Sequence, residues 1–313
     1  MSRTDHLVRA TALDGRVRAF AIDSTGVVNE LARRQSTIPV VTAAIGRLAT
    51  GALFFGAMLK EKSHMVTLRM QGDGPVGTLL ASANATGGVR GLVSNARPDV
   101  EQVQNGKLNV RGAVGTRGLL TVTKDLGLRQ PYVGTVEIVS GEIGEDIAHY
   151  LLHSEQMPSA VGLGVFVQPD GTASAAGGYL VQLMPGVTDT QAAAITDIVR
   201  DLPHPTTMLR HGDSPEQMLR RIFHDGLEIL DRRDVRFECH CSLDRAERAI
   251  GMLGPAAIEE MIGEGAGRGG TEVTCEFCTE RYIVATARLH ELLQPLSAEG
   301  HVRKSYSCRT VVP

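Results

Sequence analysis

The sequence predicts an α+β fold, and three observations lead there. Short runs that alternate apolar and polar residues recur through the N-terminal part, punctuated by Gly- and Pro-containing turns, in the manner of antiparallel hairpins. One long apolar stretch, 41–59, has the length of a helix rather than a strand. Four of the five cysteines fall in two close pairs near the C-terminal end, in a region of different character. The expected organisation is an N-terminal, mostly antiparallel sheet domain with helices over 1–184, a helical linker over 185–236, a small cysteine-bearing domain over 237–293 and a tail over 294–313.

The elements follow in order. Alternation over 17–22 predicts a strand, and the Ser/Thr-containing segment 23–26 leads into a helix ending near Arg34. The 41–59 helix comes next. Strands over 65–70 and 76–83 flank the turn Gly72-Asp73-Gly74-Pro75, and a second turn at Gly87 and Gly88 opens the run 89–93. Further extended runs over 118–123 and 134–139 complete a meander, 144–154 reads as a helix, and 161–167 with 178–183 forms a strand pair about Pro169, Asp170 and Gly171. After Pro185, 188–202 is an amphipathic helix stopped by Pro203 and Pro205. A second helix over 214–224 has Ser214 as N-cap, Pro215 at the first position and Gln217 completing a capping box. Its apolar residues Met218, Leu219, Ile222 and Phe223 share a face, as in an ordinary core helix. A helical stretch over 243–262, a Gly-rich run over 263–270 and, after Tyr282, a short helix to Leu293 are expected in the cysteine region.

Composition narrows the function classes. At 42% hydrophobic and 21% charged residues, the chain of 313 can bury a sizeable core, so disorder is excluded as its dominant state. A net charge of −3 with 4% aromatic residues offers nucleic acid no electrostatic footprint. The stretch 41–59 contains Arg47 and several Gly and Thr residues, which favour a core helix over a membrane span. Residues 1–14 carry charges where a secretory signal has an apolar run, so a cytoplasmic, reducing location is expected. There, cysteines serve metals or redox chemistry rather than a disulfide framework.

Cys239 and Cys241 form a C-x-C pair, Cys275 and Cys278 a C-x-x-C pair, and 33 residues separate the two. Two short chelating pairs supply the four soft donors of tetrahedral zinc, so these four cysteines are the expected ligands of one Zn2+ per chain. His240 diverges from its neighbours and is expected at the surface. Cys308 stands alone in the tail as an ordinary thiol. Zinc holds each sulfur as a thiolate, which is the form that oxidants attack. Oxidation would remove the ligands and with them about 10–16 kcal/mol of folding free energy in small zinc peptides. That matches the whole stability of a domain, about 5–15 kcal/mol. A Cys239–Cys241 disulfide would close a small strained ring and be readily reduced.

These residues resemble a known family. The C-x-C of Phe237-Glu238-Cys239-His240-Cys241-Ser242 with the C-x-x-C of Cys275-Glu276-Phe277-Cys278 is similar to the redox switch of the bacterial heat-shock protein of thirty-three kilodaltons. Gln71-Gly72-Asp73-Gly74-Pro75, Tyr132-Val133-Gly134, Tyr150 and Ser154-Glu155-Gln156 extend the likeness upstream. The resemblance implies an ATP-independent holding chaperone, inactive while reduced and zinc-bound. Oxidation would form disulfides Cys239–Cys241 and Cys275–Cys278, release zinc and loosen the linker. The active form would dimerise, bind unfolding client proteins and pass them to ATP-dependent foldases. Thr279 departs from the family pattern, standing where a glycine is common, which matters if the turn needs positive φ. The Gly-rich run lengthens the inter-pair spacing slightly, and the tail from Pro295 has no counterpart.

Two other classes compete. A zinc-knuckle nucleic-acid-binding protein would meet a run of acidic residues around the cysteines, among them Glu238, Asp244, Glu247, Glu272, Glu276 and Glu280, which repels phosphate. A hydrolase or zinc enzyme would need an open metal position that four sulfurs close. His153, Ser154 and Glu155 are sequence neighbours, which does not make a triad. No catalytic activity is expected.

Overall fold

The alternating runs fold as strands and the apolar stretch as a helix, in a computed structural model that describes residues 4–104, 106–265 and 269–293. The first elements are β1 (His6–Ala12), β2 (Val17–Asp23), α1 (Thr25–Gln35), α2 (Pro39–Ala57), β3 (Met65–Gly72), β4 (Thr78–Asn84), β5 (Gly88–Val93), β6 (Val103–Gln104), β7 (Lys107–Leu108) and α3 (Val110–Val114). Then come β8 (Gly118–Asp125), β9 (Tyr132–Glu137), α4 (Gly144–His153), β10 (Ser159–Val167), β11 (Ala173–Leu183), α5 (Asp189–Asp201), α6 (Pro205–Arg210), α7 (Pro215–Phe223), β12 (Leu227–Asp234) and β13 (Arg236–Phe237). The chain closes with α8 (Leu243–Gly251), α9 (Pro255–Glu264), β14 (Gly270–Thr274), β15 (Arg281–Ala285) and α10 (Thr286–Leu293). It divides into two compact units, the first holding the described residues up to Cys239 with Glu276–Thr279, the second the remainder.

In the first unit, strands in the order β10-β11-β2-β1-β12 make one sheet and β13-β5-β4-β3-β8-β9 another. Pairing in both is antiparallel except for β13 with β5. The fold is therefore α+β with mostly antiparallel sheets, as the hairpin spacing predicts. α2 supplies the centre of the main core, because every residue from Val40 to Ala57 except Arg47 is buried. A helix apolar all round is stable only when covered on every side. Here the cover comes from Phe20, Ile22, Leu163 and Leu180 of the first sheet and Leu68, Met70, Leu79 and Leu120 of the second. α2 is also the one helix among the described residues long and apolar enough to cross a membrane, yet 94% of its apolar window is buried in the fold.

The turn Gly72-Asp73-Gly74-Pro75 needs its glycines for close approach: a Cβ on Gly72 would lie 2.0 Å from the Val114 carbonyl, and one on Gly74 2.4 Å from that of Ala113. Asp73 Oδ1 accepts from the N–H groups of Thr116 and Arg117, tying the turn to the start of β8.

A second core lies on the other side of the five-stranded sheet. Val8, Ala10, Ala19, Ala21, Tyr179 and Val181 meet Ile195 of α5, Met208 and Leu209 of α6, and Met218, Leu219 and Ile222 of α7. The α7 start is built as its sequence predicts, with Ser214 Oγ accepting from Gln217 N and Gln217 Oε1 accepting from Ser214 N. Over 185–236 the α-helices end at Phe223, followed by one 3-10 turn at His224–Gly226. The segment's last stretch is strand β12, antiparallel to β1, with burial alternating from Leu227 onward.

The second unit contains α8, α9, the β14–β15 hairpin and α10 around Ile250, Ile258, Val284 and Leu289. The continuous helix expected over 243–262 is two helices. Gly254 at φ +90° and Pro255, which has no N–H to donate, break the ladder between them. The tail with Cys308 and part of the Gly-rich run lie outside the described residues.

Candidate metal centre

Each cysteine sits where a regular element ends. β13 pairs with β5, and Glu238 N extends the ladder by donating to Val89 O at 2.8 Å, which delivers Cys239 from a fixed strand. Cys241 precedes Ser242, the N-cap of α8, whose Oγ accepts from Arg245 N at 3.2 Å. Cys275 directly follows β14, and its N–H donates to Glu280 O at 2.8 Å, closing the hairpin turn that contains Cys278. Cys278 is buried at 4% exposure, whereas the other three are half-buried.

The four Sγ atoms all lie within 4.8 Å of one another. A tetrahedral ion with bonds of about 2.3 Å sets its sulfurs roughly 3.8 Å apart, so this spread suits a single centre. A set of thiolates selects zinc, copper(I) or iron–sulfur clusters over magnesium or calcium. The donors therefore fit zinc, and four sulfurs would complete its tetrahedral shell. His240 is exposed and outside the group.

Surrounding contacts identify residues that sequence reasoning missed. Arg34 Nη1 donates to the Cys278 carbonyl at 2.8 Å, and Gln35 Nε2 donates to those of Glu276 at 2.7 Å and Phe277 at 3.1 Å. The Arg90 guanidinium stacks on the Phe277 ring at 4.2 Å, and that of Arg34 on Phe237 at 4.7 Å. Glu30 anchors Arg34 through Nε at 2.6 Å. Its carboxyl is lowered to about 2, first by the hydrogen bond from Arg33 and then by Arg34. Thr279 adopts φ +60°, so the position read as wanting glycine does take the left-handed conformation, with a β-branched residue in it. Nothing local in the sequence marks Arg34 or Gln35, because their partners lie some 240 residues away.

Several of the acidic residues flanking the cysteines are paired with arginine: Glu238 with Arg236 at 2.7 Å, Asp244 with Arg248 at 2.6 Å, Glu247 with Arg288 at 2.9 Å and Glu272 with Arg281 at 3.4 Å. Repulsion of phosphate is correspondingly weaker than the count of carboxylates suggests. Glu155 is held by Lys124 Nζ at 2.5 Å, and the His153 ring rests on His149 with centroids 4.2 Å apart.

Comparison with known proteins matches residues 5–285 to the family model described as Hsp33 protein. The chain belongs to the Hsp33 family. A 33 kDa chaperonin of Bacillus subtilis (strain 168) is 46% identical over 288 residues, covering 92% of this chain and 98% of the relative. That of Bacillus velezensis is 44% identical with the same coverage. Among solved structures, the 33 kDa chaperonin (heat shock protein 33 homolog) of Thermotoga maritima superposes with a TM-score of 0.85 at 33% identity, over 93% of this chain and 98% of that one. As an Hsp33 member, the chain carries its four clustered sulfurs on the sheet-and-helix architecture of that relative.

Proposed function

We propose that this protein is an ATP-independent holdase of the cytoplasm, inactive when reduced and zinc-bound, and activated by oxidation. The observation that carries the reading is the convergence of Cys239, Cys241, Cys275 and Cys278 in a chain of the Hsp33 family. These four would hold one Zn2+, which when bound keeps the sulfurs deprotonated and ties their segments together. They would also be the redox-active groups. One hydrogen peroxide per thiolate pair would accept two electrons from the sulfurs and two protons from solvent and leave as two waters, forming disulfides Cys239–Cys241 and Cys275–Cys278, after which no thiolate would remain to hold the ion.

Among its described residues, the second unit has four fully buried aliphatic side chains, with Met261, Ile262, Val273, Leu292 and Leu293 partly buried against them. Units of that size normally depend on a metal or cross-links, so its fold would not survive loss of the clamp. We assign 1–184 as the chaperone core, 185–236 as linker, 237–293 as the switch and 294–313 as tail. In this reading α5–α7 shield the outer face of the five-stranded sheet until activation. Unfolding client proteins would then bind, the active form would be a homodimer, and ATP-dependent foldases would receive the clients. No catalysis and no nucleic-acid or membrane partner is part of this proposal.

The test exposes reduced protein to peroxide at heat-shock temperature while following metal release, thiol count and suppression of client aggregation together. The three should move in concert. Metal loss with no gain in aggregation suppression would refute the switch.

A further inference from the structure

Cys239 and Cys278 are carried by segments of the first unit, and one pair of consecutive side chains grips both. Arg34 and Gln35 end α1, where Ser36 turns left-handed at φ +52°. Arg34 is fixed by Glu30, stacks on Phe237 two residues before Cys239, and donates to the carbonyl of Cys278 itself. Gln35 spends both Nε2 hydrogens on the carbonyls of Glu276 and Phe277, while its Oε1 accepts from Val93 N of β5 at 3.4 Å. β5 is the strand that pairs with β13, and it also supplies Arg90 against the Phe277 ring. Three successive carbonyls of the C-x-x-C loop are thus fixed by two side chains. A peptide is planar, so fixing each carbonyl also fixes the following N–H and the direction of the chain. This loop must then enter Thr279 at φ +60°, a conformation that a β-branched residue adopts only when its surroundings impose it.

We propose that Arg34 and Gln35 are positioning residues for the cysteine cluster, holding Cys239 and Cys278 on a common platform and thereby setting how readily the metal leaves. The inference rests on the zinc reading above. Neither side chain is replaceable by a similar one. Lysine lacks the fork that reaches Glu30 and Cys278 together, and no other residue of glutamine's length offers two donors and an acceptor. Without the grip, the 276–279 loop relaxes from its left-handed turn, and the sulfur of Cys278 is no longer held in place for its partners.

The experiment measures the rate at which zinc passes from reduced, full-length protein to an excess of chromogenic chelator. Gln35→Met and Arg34→Met are expected to release the metal about tenfold faster than the parent, the scale of one lost hydrogen bond. Arg33→Met is the control, because Arg33 bonds Glu30 and makes no hydrogen bond to the loop. It should stay within twofold of the parent. Circular dichroism reports whether each variant folds. Should Arg34→Met not fold, Arg34→Lys keeps the charge and should release zinc several-fold faster. Parent-like rates in both Gln35→Met and the arginine variant, or equal acceleration in Arg33→Met, would overturn the proposal. A parent that binds no zinc would instead sink the functional reading on which it stands.

Discussion

The Tyr282 hydroxyl donates to Sγ of Cys241 across 3.2 Å. Tyr282 sits on β15 opposite Val273, so the hairpin whose turn opens at Cys275 also supports the sulfur of the other pair. Donors to a metal-bound sulfur hold the ligand in orientation and spread its charge, and losing such a partner typically costs 10–100-fold in metal affinity. Tyr282→Phe keeps the ring and deletes the donor. We expect zinc affinity to fall roughly tenfold by chelator competition, with the far-ultraviolet spectrum unchanged. Unaltered affinity would show that this hydrogen bond plays no part in metal retention.

Cys275→Ser removes one sulfur outright. If about 10–16 kcal/mol of metal binding is shared among four thiolates, each supplies roughly 3 kcal/mol, so affinity should drop on the order of a hundredfold. Parent-like zinc stoichiometry at low free metal would refute the ligand assignment.

The parts of this molecule that were legible in the sequence are those whose causes are local. Ser214, Pro215 and Gln217 announce α7 because a capping box closes within one turn. The two cysteine pairs announce the cluster of four sulfurs because chelating pairs work at short spacing. β1 and β12 were less legible: they carry Arg9, Arg232 and Arg233 among their apolar residues, and the alternation acquires meaning only once each strand has the other as neighbour. The break at Gly254-Pro255 was readable and should have divided the helix expected over 243–262. Arg34 and Gln35 lay beyond reach, since an Arg-Gln pair at a helix end is unremarkable until the fold delivers three carbonyls to it.

Asp5 gives a pH signature. It caps α1 by accepting from Gly26 N at 2.9 Å and Val27 N at 2.6 Å, and burial raises its pKa to about 6, the two N–H groups offsetting part of the effect. A folded value above the unfolded 3.8 means the native state holds a proton that the unfolded chain has released. Its contribution is complete below pH 3.8 and is lost as pH rises through about 6. Asp5→Asn removes this titration. The difference in unfolding free energy between parent and variant, from urea titrations, should shift in the variant's favour by on the order of 2–3 kcal/mol between pH 4 and pH 7. A flat difference across that window would contradict it.

Asp146 is wholly buried and accepts from the backbone N–H groups of Val139, Ser140 and Ile143 at 2.8–2.9 Å and from Ser140 Oγ at 3.1 Å. One carboxylate thereby organises the loop between β9 and α4. Asp146→Ala strands these donors in the interior, and we expect a loss of about 3–5 kcal/mol, measured by urea unfolding. A loss under 1 kcal/mol would mean that the donors find other acceptors.

The face covered by α7 offers the sharpest test of what oxidation is proposed to uncover. Leu219 is fully buried, in the cluster formed with Val8, Ala19 and Tyr179, whereas Arg220 beside it is exposed. Leu219→Ala deletes buried methyl groups at a cost of about 2–5 kcal/mol, enough to shift a short peripheral helix towards local release while the α2-centred core, which does not contain Leu219, persists. The reduced, zinc-bound variant should then suppress client aggregation without oxidant and bind a hydrophobic dye. Arg220→Ala should remain inactive until oxidised. If Leu219→Ala loosens α7 by hydrogen exchange yet stays unable to hold clients, the outer face of the five-stranded sheet is not the surface that activation exposes, and client binding must be sought elsewhere on the fold.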